Sequence, residues 1–455
     1  MSWSTSKRIA GHLRKLGHNL VQMADRARHA AIELPPAVYF ILAASLLLIA
    51  VSDSQPFGNY SFFGALLLAP AIVLCAAGIV RSPSQHATQT GSSYTFLLRC
   101  LVFTALLYHC TTTFAMLRSH SGKDIDVNLF QEHSAAALLR GTNPYTLTTV
   151  NIYGRGTTFY APQLLVNDRV QIGLPYPPAS LFFVLPAYLA GDIRYAYVFA
   201  ILLSAAICLM LRTNLANASV ACLLLLSPVT RYVERQSWTE PFVLLTLACT
   251  VYSALRKRSW LPIALGAFLA SKQYSVLALP FIPLLLSGYH RKEMRKLIAQ
   301  SVGTAAALTL PMAFWSLSGF WRDIVLLHIR QPFRTDGLSI ANLLFPISPA
   351  LILCFVIIGM IFAIHNARPH PSMFAVCFGF TLLIFVATNK QAFCNYYFLI
   401  IYALLLGAAS MSIPTTTPEG VSLEYVKGDG ISTFRPSRQS MRENVLVSTA
   451  YGSSV

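Results

Sequence analysis

PSMFAVCFGFTLLIFVAT at residues 371–388, NKQA at 389–392 and FCNYYFLIIYALLLGAASM at 393–411 read as two apolar runs joined by a short polar turn. Lys390 is the single charge in the whole stretch. At 1.5 Å per residue, a run of this length reaches about 27 Å, close to the roughly 30 Å of a bilayer's hydrocarbon core. The same pattern recurs outward along the chain, at 36–51, 61–80, 94–117, 194–212, 215–230, 239–255, 259–271, 274–288, 296–316 and 342–364. The expectation is an all-α polytopic membrane protein of about twelve transmembrane helices. Composition agrees: of 455 residues 55% are hydrophobic and only 11% charged, with a mean hydropathy of +0.56. A soluble domain carries about 25% charged residues, so this chain lacks the charge to cover a water-facing surface. An ordinary soluble enzyme, a disordered chain and a disulfide scaffold are excluded.

The net charge of +17 would suggest nucleic acid in a soluble protein. Here the cations sit between apolar runs, where they orient the chain and meet anionic headgroups, so membrane lipids are the partner and nucleic acid is not. The nine cysteines lie in or beside apolar segments with no CxxC, and read as packing residues. Residues 1–35 carry Lys7, Arg8, Arg14, Lys15, Arg26 and Arg28 around a stripe of Ile9, Leu13, Leu16, Leu20 and Met23, the pattern of a basic amphipathic interfacial helix. No small-residue cleavage site follows a short apolar core, so it does not read as a signal peptide.

The run PPASLFFVLPAYLA, 177–190, reaches about 21 Å and is short for a span. If it lies along the surface and both termini are inside, the inner segments hold most of the 34 Lys and Arg, including Arg256, Lys257 and Arg258 and then Arg291, Lys292, Arg295 and Lys296. If it crosses, those clusters face out, against the positive-inside rule. The expected organisation is therefore three N-terminal spans over 36–117, a large outer loop over 118–193 carrying interfacial helices, nine further spans over 194–411, and a cytoplasmic tail over 412–455 whose composition predicts disorder.

The outer loop opens Gly122-Lys123-Asp124-Ile125-Asp126 and continues as a short helix ended by Gly141 and Asn143-Pro144-Tyr145. Carboxylates at a membrane mouth are costly unless they pair, solvate or work. The bland alternative is a solvated helix N-terminus, where Asp favours the dipole. Other polar clusters fall at outer span ends: Glu234-Arg235-Gln236-Ser237-Trp238 with Glu240, Ser271-Lys272-Gln273-Tyr274, Arg330 with Arg334-Thr335-Asp336, and Asn389-Lys390-Gln391. Lys272 interrupts an apolar stretch, and reads either as a tight hairpin turn or as a cation aimed at a lipid phosphate.

In order and spacing, Asp126 with Phe130, ALLRGTNPY ending at Tyr145, Tyr176-Pro177-Pro178, Ser271-Lys272-Gln273-Tyr274 and NKQAFCNYY over 389–397 resemble glycosyltransferase family 87, GT-C-type membrane enzymes related to polyprenyl-phosphate-mannose-dependent mannosyltransferases. The resemblance covers about residues 120–400; the first 90 residues lie outside it, and Phe130 is followed by Gln131 where an aromatic pair is usual. It implies a GT-C-like fold and an inverting transfer of a sugar, mannose or another hexose or pentose, from a polyprenyl-phosphate donor to a lipid or glycan acceptor. The active site would face the outside or periplasm of a bacterial plasma membrane. Asp126 is the implied general base, with Asp124 second. Lys272, Arg334 and Lys390 are implied donor-phosphate ligands, and Tyr145, Tyr176, Glu234, Gln236, Gln273, Tyr274, Asp336, Gln391, Asn395 and Tyr396 line the substrate. No cofactor is required, although a divalent metal held by Asp124 and Asp126 with Glu234 or Glu240 stays open. The rival reading is a polytopic transporter or lipid flippase; a scaffold anchoring a polymer-synthesis complex is the third.

Overall fold

The structure, a computed structural model, describes residues 36–52, 66–81, 92–119, 125–286, 291–334, 336–342, 347–413, 423–428 and 431–436. The expected amphipathic segment 1–35 lies outside them. The long helices are α1 (Pro36–Ser52), α2 (Leu68–Arg81), α3 (Ser92–Ser119), α4 (Asp126–Leu139), α5 (Pro178–Leu189), α6 (Arg194–Leu211), α7 (Leu215–Leu226), α8 (Pro228–Arg235), α9 (Glu240–Arg256), α10 (Leu261–Leu269), α11 (Arg291–Trp315), α12 (Pro349–Asn366), α13 (Pro371–Thr388) and α14 (Cys394–Ser410). Between α10 and α11, Gln273–Leu285 is a 3-10 helix. Pro280 and Pro283 lack the N–H that an α-helical ladder needs, which accounts for the departure.

Among the described residues five helices are long and apolar enough to cross a membrane: Thr95–Ser119, Arg194–Leu211, Arg291–Trp315, Pro349–Asn366 and Pro371–Thr388. A sixth forms if α7 and α8, bent by 49° at Ser227-Pro228, count as one broken span. Other apolar segments are shorter, including α1, α2, the 3-10 helix and α14. Their exposure pattern is that of a membrane-embedded protein. Large apolar side chains such as Phe96, Phe103, Val302, Phe314, Leu353, Ile358 and Ile361 stand on the outside of α3, α11 and α12. No water-soluble surface carries so continuous an apolar coat. α13 and α14 are buried along almost their whole length and form the centre of the core with Phe268, Phe281 and Leu247.

The polar ends of the helices sort onto two faces. On one, the Arg194 guanidinium joins the start of α6 to the end of α3 through the Leu117 carbonyl (3.0 Å). Asn128 and Gln131 of α4 donate to Ser237 at the α8–α9 turn (2.9 and 2.8 Å). Asn143 reaches the Met312 carbonyl near the end of α11, and Gln273 reaches Pro175. On the other face Arg256 donates to the Leu211 carbonyl (2.6 Å), Arg212 to Ser412, and His370 contacts Ile413. Arg258 lies within electrostatic reach of Glu293, so the basic start of α11 belongs to this second face. We call these the loop face and the basic face.

On the loop face a small antiparallel sheet, ordered β1 (Thr149–Val150), β3 (Arg169–Val170), β2 (Leu165–Val166), folds the middle of the loop back on itself. α5 packs between α4, α6 and α11 through Leu181, Val184 and Phe183. The tail, expected to be without regular structure, contains two paired strands, β4 (Leu423–Gly428) and β5 (Ile431–Pro436).

The α13–α14 contact depends on Gly407, where an added Cβ would meet Val376 Cγ2 at 2.4 Å and the Ser372 carbonyl at 3.0 Å. A Cβ added at Gly303, on the apolar outside of α11, would meet nothing within 4 Å. Gly407→Leu should lower the thermal unfolding midpoint of the detergent-purified protein, through an overpacking cost of about 1–3 kcal/mol. Gly303→Leu should leave it unchanged.

Candidate active site on the loop face

α4 begins at Asp126, after Ile125 in an extended conformation (φ −134°, ψ 159°), and ends at Gly141 with φ +71°. A left-handed residue there suits glycine and turns the chain into the Asn143-Pro144-Tyr145 turn. Asp126 is partly exposed. Its backbone N–H donates to the Tyr153 hydroxyl (3.2 Å), and the Tyr160 hydroxyl donates to its Oδ2. Crowding by protein pushes the Asp126 carboxyl above the usual carboxylate range, opposed by the two tyrosines and by the nearby Arg334 charge.

Arg334 lies 3.8 Å from the Phe159 ring centre and 5.0 Å from that of Phe393, and its Nε donates to Asp336 (2.6 Å). Asp336, which the sequence placed in the same polar cluster, is therefore its acidic partner. Beside it the Lys390 ammonium donates to the carbonyl oxygens of Ile329 (2.9 Å) and Gln331, and Gln391 donates to Pro332. The Arg334 N–H to Lys390 and Leu338 N–H to Ala392 bonds stitch the α13–α14 turn to the 329–338 segment.

A second cluster forms around Lys272 and Glu240. The chain breaks after α10, and Lys272 turns inward to pair with Glu240 Oε1 at 3.0 Å and to donate to the Thr239 hydroxyl. It lies 4.3 Å from the Tyr176 ring centre. The Tyr274 hydroxyl donates to the same Glu240 oxygen (3.1 Å), and its ring meets Tyr396 edge to face at 5.8 Å. Burial holds the Lys272 ammonium below its usual value, with Glu240 acting the other way. Tyr176 joins the clusters, lying within electrostatic reach of both Asp126 and Glu240.

The fold thus brings together Asp126, Tyr176, Lys272, Gln273, Tyr274, Arg334, Asp336 and Tyr396, with Lys390 and Gln391 at the edge. Four expected substrate residues are placed otherwise. Tyr145 is fully buried, and its hydroxyl donates to the Tyr176 carbonyl (2.7 Å), so it supports the site from below. Glu234 is buried against α3 with its Oε1 3.0 Å from His109 Nε2, while His109 Nδ1 donates to the Leu225 carbonyl (2.6 Å). Gln236 and Asn395 are buried, with side-chain atoms that find no partner among the described residues. Asp124 lies outside the described residues. Among the described residues no three of His, Cys, Asp and Glu converge on a common point, and Glu234 and Glu240 are both engaged as stated.

The sequence reading missed Tyr153 and Tyr160, although tyrosines in an otherwise polar, glycine-rich loop are a signal. It also missed Asp323. That carboxylate accepts N–H bonds from Gly173 (2.9 Å) and Leu174 (3.0 Å) and pairs with Arg322 (2.8 Å), whose guanidinium also donates to the Tyr145 carbonyl (2.8 Å). Burial pushes the Asp323 carboxyl up to about 6 against these partners. Gly173 is held so tightly that an added Cβ would meet the Pro144 oxygen at 2.0 Å.

No family model matches the chain, and no curated protein and no solved structure is similar to it.

Arg322→Leu strips a buried carboxylate of its partner, at a cost of about 3–5 kcal/mol. Gly173→Ala forces the Pro144 turn away. Hydrogen exchange over residues 143–176 should accelerate in both variants while α13 stays protected; unchanged exchange over that segment would refute the clamp.

Proposed function

We propose that the chain is a membrane glycosyltransferase, GT-C-like in fold, that moves a sugar from a polyprenyl-phosphate donor to an acceptor hydroxyl with inversion. The observation that carries this reading is the Asp126 carboxylate, partly open, gripped on one oxygen by Tyr160 and set close to a cationic edge made by Arg334 and Lys390. One oxygen held by a donor leaves the other for an acceptor hydroxyl. A carboxyl raised above its usual value is a better proton acceptor near neutral pH.

In the proposed step Asp126 takes the acceptor's hydroxyl proton as the oxygen attacks the anomeric carbon. The new carbon–oxygen bond forms while the bond to the phosphate oxygen breaks, and polyprenyl phosphate leaves with the electron pair. Lys390, whose described partners are neutral carbonyl oxygens, is now the better phosphate ligand, with Arg334 beside it. Lys272 is already neutralised by Glu240, so we reassign it. An apolar groove of about 320 Å³ lined by Cys110, Phe114, Leu117 and Tyr195, between α3 and α6, is a suitable seat for the isoprenoid chain.

For topology we propose twelve crossings, with the shorter apolar helices tilted or paired with neighbours, α5 along the surface, and the loop face outside a bacterial plasma membrane. The basic face, with Arg256, Lys257 and Arg258, is then cytoplasmic. A single reporter cysteine at position 257 in a cysteine-free background should be blocked only by membrane-permeant reagents. Labelling by an impermeant reagent in intact cells would reverse the orientation.

A second reading has one observation in its favour. The His109–Glu234 pair is ionisable and wholly buried among membrane helices, as transporters require. As a transport element it would make His109→Ala abolish lipid movement and leave transfer absent in every variant.

With radiolabelled polyprenyl-phosphate sugar and purified protein, Asp126→Asn should lose at least about 100-fold in transfer, since a general base contributes typically 10²–10⁴-fold. Tyr160→Phe removes a bond that favours the charged carboxylate. Its folded-state pKa therefore rises further, and the acidic limb of the rate profile should shift to higher pH. A profile that shifts downward, or full activity in Asp126→Asn, contradicts the assignment.

A further inference from the structure

We propose that Glu240, Lys272, Tyr274 and Tyr396 form a subsite for a neutral polyhydroxyl group, the sugar ring of the donor; this rests on the transferase reading and names the part of the ligand that Lys272 serves. The sequence had offered Lys272 to a phosphate, but its geometry does not suit one. A buried ammonium 3.0 Å from a carboxylate offers an incoming dianion no net attraction, and Glu240 repels it. A cationic ligand meets Lys272 in the same way. The pair is electrically balanced, so its occupant is neutral.

The occupant is also a donor of hydrogen bonds. Glu240 is fully buried and its Oε2 has no partner among the described residues, although Oε1 receives both Lys272 and Tyr274. Asn395 Oδ1 is in the same condition, and its neighbours Cys394 and Tyr396 both lie within electrostatic reach of Glu240. Buried acceptors left unmade are rare in native structures and call for an explanation. An apolar occupant would leave Glu240 Oε2 unpaired, whereas a sugar hydroxyl donates to it.

The aromatic rings complete the match. The Lys272 ammonium already occupies the Tyr176 ring, while Tyr274 and Tyr396 are partly exposed and stand edge to face. Those two rings are the way in to Glu240, and their faces suit the C–H side of a pyranose or furanose. Tyr176, within reach of both Asp126 and Glu240, sets the sugar subsite next to the base.

The test is a binding comparison with the full-length protein in lipid nanodiscs. The probes are decaprenyl phosphate and decaprenyl-phosphate monosaccharides that differ in the configuration of one hydroxyl. Wild type should bind its preferred glycosylated lipid at least about 10-fold more tightly than the bare phosphate. Glu240→Gln should erase that preference, a loss of about 10- to 100-fold for hydrogen bonds to a charged group, without weakening the bare phosphate, to which the freed Lys272 charge adds attraction. Asp126→Asn should keep the preference. The Glu240→Gln, Lys272→Gln double variant restores a neutral pair and should lose the preference too while binding the bare phosphate as wild type does, which guards against a folding defect in the single variant. Equal weakening of bare and glycosylated lipid by Glu240→Gln, or a preference it leaves intact, overturns the subsite. Sugar preference without any transfer by wild type would strike the transferase reading and leave the subsite standing. Transfer without Glu240 dependence would strike the subsite alone.

Discussion

Hydrocarbon offers no partner to a backbone N–H or C=O, so a chain that crosses it must close its hydrogen bonds within helices and carry its irregular backbone to the ends. This constraint arranges the whole molecule. α13 and α14 form a buried centre, α3, α11 and α12 coat it with outward Phe, Ile and Leu, and nearly every polar cluster of chemical interest is gathered at one end. Segments far apart in sequence, at 126, 176, 240, 272, 334 and 390, become neighbours because they have been expelled to the same face.

That face is then made rigid by a few long-range clamps. Asp323 holds Gly173 and Leu174, Arg322 holds the Tyr145 carbonyl, and Tyr145 in turn holds Tyr176. Ser237, in a left-handed conformation with φ 58°, receives α4 through Asn128 and shows its carbonyl to Gln131. The result is a loop whose tyrosines are set by buried partners, and an Asp126 carboxyl held between crowding, which raises its pKa, and donors, which lower it. Preorganised surroundings of this kind are what a transfer step needs, because dipoles already in place cost nothing to reorient as charge moves.

Much of this was legible in the chain. Apolar run length gave the helices, the Gly141 stop gave the end of α4, and the position of Lys272 gave the break after α10. The helix-end contacts described fall on two faces, with Arg194 on one and Arg256 on the other. What stayed hidden depends on pairing across long sequence distances. Nothing local in Glu234 indicates His109, which is 125 residues away, and nothing in Lys272 indicates Glu240 rather than a phosphate. Tyr160 and Asp323 were missed for the same reason, since each acquires its role only from the partner the fold supplies. The 3-10 course of Gln273–Leu285, by contrast, was written in its two prolines.

The central claim is that the loop face transfers a sugar and does not move a lipid. Purified protein in sealed proteoliposomes, supplied with polyprenyl phosphate bearing a radiolabelled sugar, measures this most directly when lipid-linked and acceptor-linked label are separated over time. The account predicts label passing to an acceptor with stoichiometric release of polyprenyl phosphate, and no such passage in the Asp126→Asn protein. Label that stays on the polyprenyl lipid and only changes leaflet would contradict it.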